Sequence, residues 1–264
     1  MNKLVFSKSP VKTNSMKMSV SRQILFAVIM LTPLLMAGKK TSPPADRKVY
    51  EDVIRFTPGL SIAKSISISD RLYAGTRLDN YGISPEVFGL ALKGFDALAK
   101  KGAISTDSIL TIVDFSKSSR EKRMVVVDLK KLQVLFHTVV AHGRNTGTEF
   151  ARDFSNSPKS HKSSLGFYVT RSTYQGSNGY SLKLDGLENG FNDKAMARAI
   201  VMHAAGYANE EVIGSKGYLG RSYGCPAVPE KLNRKIIDKI KNGNALFVYF
   251  PDQEYLTQSK LLNG

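Results

Sequence analysis

The sequence predicts a mainly β domain with one helix before its strands and one near its end. Three observations carry that reading. Short runs rich in β-branched and aromatic residues recur between positions 108 and 250. Two longer stretches switch to a helical spacing of apolar residues. Turn formers separate the runs. The chain has 264 residues, 42% hydrophobic, 9% aromatic and 23% charged. That profile suits a globular protein able to bury a core.

In chain order, residues 1–37 read as a signal peptide or an N-terminal anchor. Residues 24–37, ILFAVIMLTPLLMA, form an apolar run of 14. A membrane span needs about 20 such residues, whereas a signal-peptide core needs roughly 7–15 behind a basic stretch. Arg22 supplies the basic flank, and Ala37-Gly38 offers a cleavage point, although Leu35 is larger than the residue usual there. Met16 or Met18 offers an alternative start, and no cysteine follows the run as a lipoprotein signal would require. Export is therefore expected.

Residues 38–79 read as linker-like, from Pro43-Pro44 and their serine content. Residues 80–102 read as a helix. Ser84 caps it and Pro85 suits its first turn. Val87, Phe88, Leu90, Leu92, Phe95 and Leu98 make one apolar face, and Gly102 ends it. Strands follow at 108–116, 122–130 and 132–143, the last two joined by a hairpin turn at LKKLQ. Further strands are expected at 165–174, 180–187, 198–205 and 244–250. Pro229-Glu230 opens a helix through Lys241 with Leu232, Ile236, Ile237 and Ile240 on one face, and Asn242-Gly243 stops it. Residues 143–166 are a polar loop, of the kind that lines or covers a site. The domain spans 80–252 on this reading, and 253–264 is a tail.

The formal net charge is +16. Residues 1–40 hold seven basic residues and no acid, so the remainder carries +9. No basic helix with interleaved aromatics and no zinc-finger spacing accompanies the charge, which sets nucleic acid aside. The excess reads as attraction to an anionic polymer or as plain solubility. No His/Cys pair has metal-ligand spacing.

The only cysteine, Cys225, sits in LGRSYGCPAV. In an exported chain a lone thiol is either buried and inert or a working group. A free thiol has a pKa of about 8.5, so a working one needs a base within reach. Four histidines are on offer: His137, His142, His161 and His203. His137 lies mid-strand, His142 ends that strand, and His161 falls in the polar loop, where solvent should surround it. His203, in AIVMHAAGY, ends a buried-type strand among small residues, 22 positions before Cys225.

IVMHAAGY followed by GRSYGCPAVP resembles the active-site segment of the murein L,D-transpeptidase catalytic domain family common in Gram-negative bacteria, a branch of the YkuD-like L,D-transpeptidases. VVVDLKKLQVLFHTVVAHG, SSLGFYVT and YSLKLDGLENG resemble further blocks of that family in the same order. The resemblance implies an L,D-transpeptidase-type β-sandwich of mixed sheets and a periplasmic or envelope location. It implies that Cys225 attacks a peptidoglycan tetrapeptide stem, with His203 as base. A thioester would form, D-alanine would leave, and an amine of another stem or of a wall-linked protein would accept the acyl group in a 3–3 cross-link. No cofactor or metal is required. The backbone N–H groups of Tyr223, Gly224 and Cys225 are the expected oxyanion donors.

The segment also departs from the family's common pattern. Tyr223 stands where histidine is usual, Pro226-Ala227 replace an apolar residue and Arg or Asn, and Ala204 replaces a glycine. Arg221 is a nearby candidate to orient a carboxylate or oxyanion. Arg221 and Ser222 either bind substrate or bond the local turn; Tyr168, Tyr180 and Tyr207 either line the groove or pack. Two other functions compete: an L,D-carboxypeptidase or endopeptidase hydrolysing the same bonds, and a non-catalytic wall-binding module.

Overall fold

A computed structural model describes residues 67–105 and 108–264. The apolar run expected to direct export, and the linker-like residues up to 66, lie outside the described residues. No helix among the described residues is long and apolar enough to cross a membrane.

The first helix, α1 (Ile68–Thr76), occupies the end of the stretch read as linker-like. Ser67 Oγ accepts from Asp70 N–H at 3.0 Å, and the Asp70 carboxylate accepts from Ser67 N–H at 3.3 Å. This reciprocal cap satisfies two donors that a helix start leaves open. Leu72 and Tyr73 then pack on the core, so the segment is part of the domain. Helix α2 (Pro85–Lys100) has the expected cap, with Ser84 Oγ accepting from Val87 N–H at 3.2 Å. It buries Val87, Phe88, Ala91, Phe95 and Leu98.

Among the described residues, eight strands form one mixed sheet: β1 (Ile109–Asp114), β2 (Met124–Asp128), β3 (Gln133–Thr138), β4 (Gly166–Gly176), β5 (Gly179–Gly186), β6 (Val201–Ala204), β7 (Ala227–Val228) and β8 (Ala245–Tyr249). Their spatial order is β3-β2-β1-β8-β4-β5-β6-β7. The last strand in sequence thus lies inside the sheet, parallel to β1 and antiparallel to β4. Its unbroken apolar run, ALFVY, is buried along its whole length, as a strand covered on both faces requires. The mainly β expectation holds, with a helix before the strands and α4 (Glu230–Ile240) after the cysteine.

Two strands are shorter than their composition implies. β3 stops at Thr138 because the chain beyond it leaves the ladder to bond the cysteine segment, Ala141 N–H donating to Ala227 O at 2.8 Å. β6 starts only at Val201, because residues 198–200 donate back to carbonyls of 194–196 in a turn with Ala199 at φ +54°. A short helix not expected from the sequence, α3 (Glu210–Lys216), follows β6 and buries no side chain.

The C-terminal residues are not a loose tail. They form α5 (Gln253–Gln258) and α6 (Lys260–Asn263), with Tyr255, Leu261 and Leu262 buried. The cause is Glu188, a buried carboxylate that must have its lone pairs satisfied. It accepts from Phe167 N–H at 2.7 Å, from the Tyr255 hydroxyl at 2.9 Å and from the Ser259 hydroxyl. Burial holds its pKa above the usual carboxylate value, against the pull of those donors.

Candidate active site

β6 and β7 run parallel, with His203 paired to Ala227. That register sets Cys225, two residues upstream of Ala227, beside Val201, where the histidine strand begins. Both residues line one cleft of about 570 Å³. Tyr223, Ser222, Arg221 and Tyr207 line it too, so the structure brings these sequence-predicted side chains together with Cys225 and His203. Arg144, Asn178, Lys216, Tyr218 and Gly220 complete the wall.

The cysteine turn is tied down from within and from behind. Ser222 Oγ donates to Cys225 O at 2.6 Å and accepts from Gly224 N–H at 3.0 Å. Ser222 N–H donates to His142 O at 2.9 Å, and its own carbonyl accepts from Arg144 N–H at 2.7 Å. Ser163 Oγ donates to Gly224 O at 3.1 Å. Gly224 has φ +121°, and a Cβ there would come within 2.7 Å of Lys162 O. Only glycine meets both demands at this position.

These bonds correct one expectation. The Gly224 N–H is already committed to Ser222 Oγ, so it is not free to meet an oxyanion. Among the described residues, the N–H groups of Tyr223 and Cys225 have no acceptor. Ser222 and Arg221 both bond the local backbone while lining the cleft, the Arg221 guanidinium donating to Arg144 O at 3.2 Å and Gly147 O at 3.1 Å.

His203 Nδ1 lies 2.8 Å from Ala204 O. A carbonyl only accepts, so Nδ1 carries the proton and Nε2 keeps its lone pair. Burial holds the imidazole below its ordinary pKa, with the Ala204 bond pulling the other way; it is neutral near pH 7. Cys225 Sγ accepts from Val201 N–H at 3.5 Å and sits 3.7 Å from Ala199 O. Burial pushes the thiol above its usual range, while the Val201 bond and the Arg198 charge pull it back. The resting pair is therefore thiol and neutral imidazole. No hydrogen bond joins them among the described contacts; such bonds often tighten only in the substrate complex.

The other histidines are occupied elsewhere. His142 Nδ1 faces the Arg123 guanidinium at 2.7 Å, and its Nε2 faces Gly147 O at 3.3 Å. Burial and the neighbouring Arg123 charge bring its pKa down to about 3, so it stays neutral as a structural link. His137 meets Lys122 O at 3.0 Å and the edge of the Tyr81 ring. His161 is half-buried rather than solvated, because its ring packs against Tyr223 with centroids 4.6 Å apart. Tyr168 is buried with its hydroxyl on Ser164 O at 3.0 Å, and Tyr180 donates to Asp238 at 2.7 Å. Those two pack, whereas Tyr207 reaches the cleft.

Lysine and arginine line the cleft, and among the described residues no carboxylate does. Among the described residues no three or more His, Cys, Asp or Glu side chains converge as a metal site.

Comparison with known proteins decides the family. A model of the L,D-transpeptidase catalytic domain matches residues 79–249. This chain belongs to the L,D-transpeptidase catalytic domain family. None of the curated proteins compared with it matches. Solved structures similar to it include an L,D-transpeptidase from Mycobacterium smegmatis, at 13% identity and TM-score 0.34, over 54% of this chain and 59% of that one. An Enterococcus faecium L,D-transpeptidase aligns at 14% identity and TM-score 0.32, over 54% and 50%. L,D-transpeptidase 3 from Mycobacterium tuberculosis aligns at 10% identity and TM-score 0.35, over 54% and 61%. The chain thus spans less than two thirds of the length of each of these structures.

Within this L,D-transpeptidase domain, the sequence reading missed Arg144, Asn178, Lys216 and Tyr218 on the cleft wall, and Arg198 behind the cysteine turn. Asn178 comes from the β4–β5 turn, and Lys216 from the end of α3. None sits in a motif. Only the folded path of the chain gathers them.

Proposed function

We propose that this protein transfers acyl groups between peptidoglycan stem peptides through a thioester on Cys225. One observation carries the reading: Cys225 and the unpaired Nε2 of His203 belong to a single cleft on a chain of the L,D-transpeptidase family.

The burial that raises the thiol pKa makes a base necessary. His203 Nε2 takes the thiol proton as Sγ bonds to the carbonyl carbon of the third stem residue. The carbonyl oxygen becomes an oxyanion, and the N–H groups of Tyr223 and Cys225 are the donors left to receive it. On collapse the C–N bond breaks, the departing D-alanine amine takes the proton from His203, and the thioester remains. An amine of a second stem then attacks the thioester carbon and gives its proton to His203. The C–S bond breaks, and the thiolate recovers that proton. The basic cleft lining suits an acyl donor and acceptor that carry carboxylates. The reading sets this chemistry in the cell envelope, to which the basic leader and apolar run would direct the chain.

The test is incubation of purified protein with tetrapeptide muropeptides and mass spectrometry of the products. Cross-linked dimers with release of D-alanine are expected, and Cys225→Ala should yield none while keeping its fold. Tripeptides alone would make the protein a hydrolase. Unchanged substrate with retained binding to sacculi would make it a wall-binding module.

A further inference from the structure

Arg198 lies behind the cysteine turn, two residues before the IVMHAAGY block. Its guanidinium donates to four oxygens of the polar loop: Nη1 to Ser155 O at 2.7 Å and Ser164 Oγ at 2.5 Å, Nη2 to Lys162 O at 2.6 Å and Ser160 Oγ at 3.2 Å. All four acceptors are neutral. Nη2 also stands 3.4 Å from where a Cβ of Gly224 would be, against the backbone that leads into Cys225. Ala199, the next residue, adopts φ +54°, and its carbonyl faces Sγ at 3.7 Å.

What is missing around Arg198 is a counter-charge. Among the described residues it makes no ion pair, and its electrostatic neighbours are Tyr168 and Cys225. A half-buried cation without an anion is costly. The anion that the proposed reaction creates beside it is the Cys225 thiolate. The other titratable side chains that line the cleft with the thiol are His203 from β6, Tyr207, Tyr218, Tyr223, Arg144, Arg221 and Lys216, and no Asp or Glu is among these lining residues.

We propose that Arg198 is a positioning residue for the transfer: it clamps the 155–164 loop behind Gly224, and its charge stabilises the Cys225 thiolate. This rests on Cys225 being the nucleophile. A purely structural clamp would leave the titration of the thiol where it is when the charge is removed and the fold is kept. Burial lowers the pKa of Arg198, while Tyr168 and then Cys225 raise it.

The experiment is the rate of alkylation of Cys225 as a function of pH, from about pH 7 to about pH 11, because burial already holds the parental thiol above its usual range. Cys225 is the only thiol in the chain, so the adduct can be counted on intact protein. In Arg198→Gln the midpoint should rise by about one unit. The rate at neutral pH should fall about threefold rather than tenfold, because a thiolate of higher pKa is intrinsically more nucleophilic. Arg198→Lys keeps the charge and should keep the midpoint. The double change Ser160→Ala with Ser164→Ala loosens the clamp alone and should leave the midpoint in place.

An unchanged midpoint in a folded Arg198→Gln protein would overturn the inference. So would equal shifts in the Lys and Gln variants, or a shift in the double serine variant, which is informative even if Arg198→Gln does not fold. The readout needs no peptidoglycan. A moved midpoint in a protein that makes no product sinks the function and leaves the thiolate contact. Normal product formation with an unmoved midpoint does the reverse.

Discussion

At His203, the bond from Nδ1–H to the Ala204 carbonyl leaves Nε2 as the only basic histidine nitrogen that the cleft receives. His142 is the next candidate base, but burial and Arg123 keep it neutral and engaged. His203→Ala should therefore depress Cys225 alkylation near pH 7. In that variant the rate should climb with pH beyond the usual thiol range, because burial holds the thiol pKa up. A parental rate at pH 7 would assign the proton to another group. At this scale much of the site was legible. Cys225 and His203 stand in one motif, and Gly224 is demanded by its backbone. Arg198 was not legible, because its meaning depends on oxygens 34 to 43 residues away.

Among elements, α2 offers an internal control. Gly89 and Gly94 lie on the same helix, where glycine costs about 1 kcal/mol relative to alanine. A Cβ at Gly89 meets only Ser69 Oγ, at 3.9 Å. A Cβ at Gly94 would fall 2.0 Å from the Phe167 ring, which is itself stacked on Phe247 at 4.2 Å. Gly89→Ala should raise the unfolding free energy measured by urea titration by up to about 1 kcal/mol. Gly94→Ala should lower it by roughly 1–3 kcal/mol, because the overpacked ring has nowhere to go. Equal effects at both positions would contradict this packing of helix on sheet. Periodicity found α2, α4 and most strands. It missed α3, which buries nothing and so has no apolar stripe, and α5 and α6, which are too short to show a period.

Across the whole molecule, the buried titratable groups set how the fold responds to acid. His142 titrates at about 3 in the folded protein against 6.5 when exposed. Between those values the unfolded chain binds the extra proton. Stability from this site is therefore fully present above pH 6.5 and is lost as pH falls toward about 3. Glu188 acts in the opposite sense, since its raised pKa makes the folded state take a proton first. His142→Asn keeps an acceptor for Arg123 but cannot titrate. Its melting temperature should fall less steeply than the parent's on acidification, and parallel acid limbs would contradict the assignment. Sheet order belongs to this scale too. No local pattern told that the last strand would insert beside the first, because that pairing is made between strands more than a hundred residues apart.

The central claim is that the acyl group passes through Cys225. Its most direct test is acid quenching of the protein during turnover of a tetrapeptide muropeptide, followed by intact mass and peptide mapping. The account predicts a stem-peptide adduct, less D-alanine, on the peptide containing Cys225, and its absence in Cys225→Ser. Product formation with no adduct, or an adduct on any other residue, would contradict it.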